Sequence, residues 1–224
     1  MKWKDEIENV CEYLNVRDNT DLLLNLFNAV HDEYANHFGK TEWASYALEV
    51  NYTGEDTGYE ELYEPILQQH REVHPDWQKR STGFNYSDST DKDLFAHTDI
   101  DQDTEHPNHY NIVIPVMGQS TIWYYHTNDD EICLPEKNAH GYYYYHEFKN
   151  RKKMGPYSKE YEDFQESRKW GKIDVTQPLL LNTNFMHRVI VTEAPRLAWV
   201  TRWNNIPSEV DFQTFKNRVE TILA

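Results

Sequence analysis

Three side chains of this sequence are of the types that hold a redox-active metal. His97 and Asp99 stand two residues apart in His97-Thr98-Asp99, and His187 lies far downstream. Two neutral imidazoles and one carboxylate on a common face bind Fe(II) without filling its coordination sphere. Positions then stay open for a bidentate co-substrate and for dioxygen. Shortly beyond His187 comes Arg196, whose guanidinium can grip a carboxylate through two parallel hydrogen bonds. Arg202 is its rival for that task, because 196 and 202 have the same parity on one extended segment. Arg196 is preferred as the one nearer the barrel mouth that His187 marks.

A His-x-Asp frame is weak evidence alone, and the chain holds a second, His74-Pro75-Asp76. That one ends an expected helix, where Pro75 suits a stop, and it reads as a helix terminus. His97-Thr98-Asp99 is better placed. It falls in an extended segment, 94–100, where residues i and i+2 share a face. The next strand, 111–116, is the most apolar stretch of the chain, and His187 opens another apolar strand, 187–191.

The elements that must position these residues follow from periodicity and turn signals. The first third reads helical: residues 7–14, then a helix starting at Asn19-Thr20-Asp21 and ending near Gly39, then residues 59–69, with a candidate strand at 43–52. From residue 82 the texture is extended. Strands are expected at 82–87, 94–100, 110–117, 121–126, 173–175, 179–182, 188–191 and 197–203. Met117-Gly118-Gln119-Ser120 and Thr192-Glu193-Ala194-Pro195 read as tight turns between neighbouring strands. Residues 127–172 are polar, aromatic and irregular, and are expected to be an insertion. A terminal helix is expected from a capping start at Ser208 and Asp211. These elements predict a mainly β fold with flanking helices, a double-stranded β-helix (a jelly-roll, cupin-like barrel). One domain, 1–224, is expected, with 1–81 as mainly helical support, 82–203 as barrel and 208–224 as terminal helix.

Composition sets the outer bounds. The chain has 224 residues, 38% hydrophobic, with 16 Tyr, 9 Phe and 7 Trp, enough for an aromatic core. A formal net charge of −16 argues against duplex nucleic acid or an anionic membrane as partner, since both need neutralising cations. The two cysteines, Cys11 and Cys133, form no disulfide framework. The start, Met1-Lys2-Trp3-Lys4-Asp5, is charged, and no apolar run approaches the roughly 18 residues of a membrane span. The expectation is a soluble cytoplasmic protein whose partner is a small-molecule or peptide substrate.

Other conspicuous residues read more plainly. Tyr142-Tyr143-Tyr144-Tyr145-His146 is either an aromatic wall over a substrate or, in the favoured reading, packing against the barrel. Lys149, Arg151, Lys152 and Lys153 form the densest positive patch and read as a solvated loop. His106 and His109 read as a polar loop rather than a second metal site. Trp123, Tyr124, Tyr125 and His126 read as packing.

Taken together, His97-Thr98-Asp99, His187 and Arg196 resemble the motif of the Fe(II)/2-oxoglutarate-dependent oxygenases. Asn85-Tyr86, Pro178-Leu179-Leu180-Leu181-Asn182-Thr183 and His187-Arg188-Val189 resemble that family's wording around it. The resemblance covers roughly residues 82–203. It implies Fe(II) held by His97, Asp99 and His187, and 2-oxoglutarate chelating the metal with its distal carboxylate on Arg196. It further implies dioxygen-dependent release of succinate and CO₂ with hydroxylation of an amino acid, peptidyl side chain or other small molecule. Asp99 disfavours halogenation, because halogenating members lack that carboxylate. The family's Arg-x-Ser reads Arg196-Leu197-Ala198 here, which lacks one hydroxyl contact to the co-substrate; Tyr86 and Asn111 are the candidates to supply a hydrogen bond instead. A cupin-like metalloenzyme that does not use 2-oxoglutarate and a non-catalytic jelly-roll binding module are the alternatives.

Overall fold

The structure is a computed structural model. It describes residues 7–28, 45–47, 64, 66, 68–69, 72–73, 79–90, 95–99, 108–128, 131–133, 146–155 and 158–224. The fold is mostly β. Ten strands are described: β1 (Cys11–Tyr13), β2 (Ser45–Ala47), β3 (Lys79–Ser87), β4 (His97–Thr98), β5 (Asn108–Tyr125), β6 (Ile132–Cys133), β7 (His146–Phe148), β8 (Lys169–Asp174), β9 (Leu179–Asn182) and β10 (His187–Ile206).

Two long strands, β5 and β10, form the spine. They pair antiparallel from His187↔Tyr124 to Ile206↔Asn108, with register irregularities around residues 193–198. Each end of this ladder carries its own neighbours. Beside the outer half, 108–117 of β5 and 197–206 of β10, lie β9 and β3. Beside the inner half, 119–125 of β5 and 187–193 of β10, lie β8 and β4. The result is one curled sheet with two arms, β3–β10–β5–β9 and β4–β10–β5–β8. That is the strand arrangement of a double-stranded β-helix.

The two expected hairpin turns are therefore corners. Residues 117–120 and 192–195 do not reverse the chain, and β5 and β10 each run on from one arm into the other. Gly118 makes the corner possible. Its φ is +66°, and a Cβ there would collide with the carbonyl oxygens of Pro195 and Glu193. Only glycine accepts both the left-handed conformation and that approach.

Alternation along the strands separates two cores. Phe84, Ile112, Ile114, Leu180, Leu197, Trp199 and Trp203 point to one face of the first arm. There they pack under Leu23, Leu26 and Phe27 of helical residues 20–28 and under Phe212, Phe215 and Val219 of the helix Phe212–Leu223. Val113, Ala198, Val200, Leu179 and Leu181 point the other way and meet Ile122, Tyr124 and Ile173 of the second arm. This second cluster fills the inside of the curl.

Some expectations are corrected. Residues 7–14 form a turn and the edge strand β1 on β9 rather than a helix. The apolar spacing of Ile7, Val10, Cys11 and Leu14 is met by docking on a sheet edge, and tertiary pairing overrides the periodicity. The terminal helix is capped by Asp211, whose side chain accepts from Thr214 N, and not by Ser208. The expected insertion holds regular elements among its described residues: β6, β7, and helices Asn150–Met154 and Lys159–Glu166. Arg151 is no solvated loop cation, because it pairs with Glu147 and lies over the Phe95 ring at 3.7 Å. His74-Pro75-Asp76, His106 and Tyr142–Tyr145 fall outside the described residues. Among the described residues, no helix is long and apolar enough to cross a membrane.

Candidate metal centre

His97, Asp99 and His187 converge. Their ligand atoms all lie within 4.8 Å of one another. His97 pairs directly with His187 across the β4–β10 ladder, which sets the two rings at 4.8 Å between centroids. Asp99 follows β4, and its backbone N–H donates to Thr183 O at 3.0 Å. That bond ties the end of the His-x-Asp segment to the loop just before His187. His97 Nε2 and Asp99 Oδ1 are 3.5 Å apart.

The remaining polar atoms of the three side chains orient this set. His97 Nδ1 lies 2.8 Å from Phe95 O, and His187 Nδ1 lies 2.9 Å from Phe185 O. A carbonyl only accepts, so both Nδ1 atoms carry the proton and both Nε2 lone pairs are left for a ligand. Asn111 Nδ2 donates to Asp99 Oδ2 at 2.7 Å, which leaves Oδ1 toward His97. Such outer partners fix ring tautomer and carboxylate direction in metal sites. Burial, with His97 beside it, pushes His187 down to about 4. It is thus a neutral imidazole at physiological pH, the form that binds a metal. Atoms bound cis to one ion at about 2.1 Å stand roughly 3 Å apart; His97 Nε2 and Asp99 Oδ1, at 3.5 Å, approach that spacing, and all three ligand atoms fall within 4.8 Å. The donor set fits a divalent transition metal with open positions.

Arg196 is buried opposite Ser87. It shares the inward face of β10 with Ala198 and Val200. Burial lowers its guanidinium to about 10, so it remains a cation at neutral pH. Among the described residues no carboxylate pairs with it. A desolvated cation of this kind calls for an anion. Arg196 sits at the corner, against Gly118, whereas Arg202 lies opposite Asn111 and its charge helps to lower His187. The two cations thus lie at different places along β10, Arg196 at the corner and Arg202 beside Asn111.

Tyr86 is not brought to this site. It pairs with Leu197, on the face away from Arg196, and its ring stacks on Phe27 at 5.3 Å. Asn111 does reach the site, but as the partner of Asp99. Tyr124, read from sequence as packing, stands 6.1 Å from the His187 ring and 5.9 Å from Trp170, which His126 stacks on in turn. Its inward direction follows from sharing parity with Ile122, a signal visible in the sequence once the strand is placed. His109 is buried, and its carbonyl accepts from Thr183 N. It joins no metal cluster among the described residues.

No family model matches the chain, and no curated protein matches it. Several solved structures are similar at low identity. E. coli ycfD is 12% identical with a TM-score of 0.43, over 78% of this chain and 37% of that one. This chain therefore spans little more than a third of that protein. HygX from Streptomyces hygroscopicus, solved with nickel and 2-oxoglutarate bound, is 10% identical with a TM-score of 0.45, over 88% of this chain and 82% of that one. L-ribose isomerase from Cellulomonas parahominis, solved with L-psicose, is 12% identical with a TM-score of 0.36, over 87% and 86%. Likenesses this distant carry no argument about the site, which stands on its own geometry.

Proposed function

We propose that this protein is an Fe(II)- and 2-oxoglutarate-dependent oxygenase that hydroxylates a small molecule, amino acid or peptidyl side chain. One observation supports this reading above the others. A two-His, one-carboxylate set with both imidazole tautomers fixed shares one barrel interior with a buried guanidinium that has no acidic partner among the described residues.

Each residue then has a task. His97 and His187 present Nε2, and Asp99 presents Oδ1. Asn111 keeps the Asp99 carboxylate from swinging away. Arg196 receives the distal carboxylate of the co-substrate from the corner of the curl, which fixes its orientation. Val113, Ala198 and Val200 line the interior with apolar surface, which excludes water from the charged contact and strengthens it. Fe(II) bound at the three ligands would supply activation of dioxygen coupled to decarboxylation of 2-oxoglutarate.

Release of succinate from 2-oxoglutarate under Fe(II) and air tests this reading. Arg196→Gln should raise the KM for 2-oxoglutarate by at least about tenfold, as expected for loss of a charged contact. A metalloenzyme that does not use 2-oxoglutarate would release no succinate and would keep its activity in that variant.

A further inference from the structure

The row of the sheet that carries the two histidine ligands continues as an aromatic face. Across the paired strands, His97, His187, Tyr124 and Gly171 stand opposite one another in turn, and directly opposed residues share a face. The Tyr124 ring, 6.1 Å from that of His187, is therefore the next side chain beyond the ligands. At Gly171 the register slips. Tyr124 faces Gly171 and Tyr125 faces Lys169, so Trp170 is the extra residue of a β-bulge. Regular alternation from Ile173, an interior residue, would turn Trp170 outward. A bulge re-aims the side chain it carries, and Gly171 has no side chain to compete for the place beside Tyr124. The Trp170 ring lies 5.9 Å from Tyr124, and His126 stacks on it at 5.8 Å and 27°.

The same face then reaches the surface. Tyr125 N donates to Met186 O at 3.0 Å, which carries the β5–β10 pairing past His187. By that register Phe185 stands opposite His126. Phe185 is 42% exposed, one of two large hydrophobic side chains so placed among the described residues. His126 is exposed and Trp170 half-buried. Three aromatic residues thus form a rim that leads from open surface to the metal ligands. Contiguous exposed apolar surface marks a place where a ligand lies, and aromatic rings offer it flat faces. What covers this rim also borders His187, so its occupant is the compound that the metal face acts on. A formal net charge of −16 disfavours an anionic occupant.

We propose that Trp170, with His126 and Phe185, is the specificity-determining surface for the primary substrate, and that this substrate presents an aromatic ring to it. The inference rests on the oxygenase reading of the same site.

The test uses the full chain and uncharged probes: the N-acetyl amides of L-phenylalanine, L-tyrosine and L-tryptophan, with those of L-leucine and L-alanine as aliphatic counterparts. Succinate release under Fe(II), 2-oxoglutarate and air gives kcat and KM for each probe. Ligand-observed NMR on the metal-free chain needs no turnover and reports which protons of a probe touch the protein. Anaerobic titration of the metal-to-ligand charge-transfer band gives 2-oxoglutarate affinity. At least one aromatic probe should show a KM at least about tenfold below the aliphatic ones, with its ring protons in closest contact. Trp170→Ala should raise that KM about tenfold and leave kcat and 2-oxoglutarate affinity within about threefold, the pattern of a lost binding contact. Trp170→Phe should keep most of the preference. Phe185→Ala, at an exposed position that costs the fold little, should raise the same KM by about threefold or more. The proposal is overturned if aliphatic probes act as well as aromatic ones, if no probe binds or stimulates release, or if Trp170→Ala changes 2-oxoglutarate affinity rather than KM. A wild type that shows no charge-transfer band would instead defeat the oxygenase reading itself.

Discussion

The two arms of the curled sheet do different work, though they are built from the same two strands. The β3–β10–β5–β9 arm has long, regular ladders and a thick apolar face under helices, with Trp199 and Trp203 fully buried. The β4–β10–β5–β8 arm carries the candidate metal ligands on and just after β4, a strand of two residues, and on the first residue of its half of β10. Stability is concentrated in one arm and chemistry in the other. The ligands sit where ladders end because a strand end frees side chains to converge, while the continuous β5 and β10 transmit the rigidity of the first arm to them. Asn111 is the direct link, since it belongs to the first arm and holds Asp99 beside the second.

This contrast can be broken from either side. The largest effect expected on stability is in the first arm: Trp199→Ala should cost about 3–5 kcal/mol in denaturant unfolding. At the corner, Gly118→Ala should cost roughly 2–4 kcal/mol, from a positive φ and a collision with the β10 backbone. If Gly118→Ala proves neutral, the two arms are not joined by a strained corner as described. On the metal side, Asn111→Ala should lower metal affinity about 10- to 100-fold, measured by competition with a chelator. Its fold should survive if the division between the arms holds. Removing Tyr86 should leave metal and co-substrate affinity unchanged, since its ring packs with Phe27 on the other face.

A pH-dependent effect comes from His187. Its folded pKa is depressed to about 4, by burial first and then by His97, while in the unfolded chain it titrates near 6.5. The unfolded state therefore takes up a proton that the folded state refuses. Stability of the metal-free protein should fall as pH drops from about 6.5 to about 4 and level off below. The total is about 3 kcal/mol. Replacement of His187 by Asn should flatten that window in a pH series of unfolding curves.

Much of this was legible in the chain. The eight extended windows from residue 82 onward correspond to the eight strand segments of the two arms, because strand alternation and β-branched or aromatic content survive in the linear sequence. The corners were not legible as corners: Gly118 and Pro195 give the same signal whether a strand reverses or bends, and only the partner strand decides. Cys11–Tyr13 was missed because an edge strand of three residues carries too little period to outweigh an apolar spacing that also fits a helix. Within the site, the types and spacing of His97, Asp99 and His187 were visible, and the structure brings these three together. Asn111 had to await the structure for its role, since holding Asp99 depends on contact across the curl. The different surroundings of Arg196 and Arg202 also had to await the structure, since they depend on which strand each residue faces.

The central claim is that three ligands and an inward cation make a site for iron and 2-oxoglutarate. Anaerobic addition of Fe(II) and then 2-oxoglutarate to the purified chain tests it most directly. The account predicts a metal-to-ligand charge-transfer band in the visible spectrum that is lost in His187→Ala and needs at least about tenfold more 2-oxoglutarate in Arg196→Gln. A wild-type protein that binds Fe(II) but gives no such band, or a band untouched by removal of His187, would contradict it.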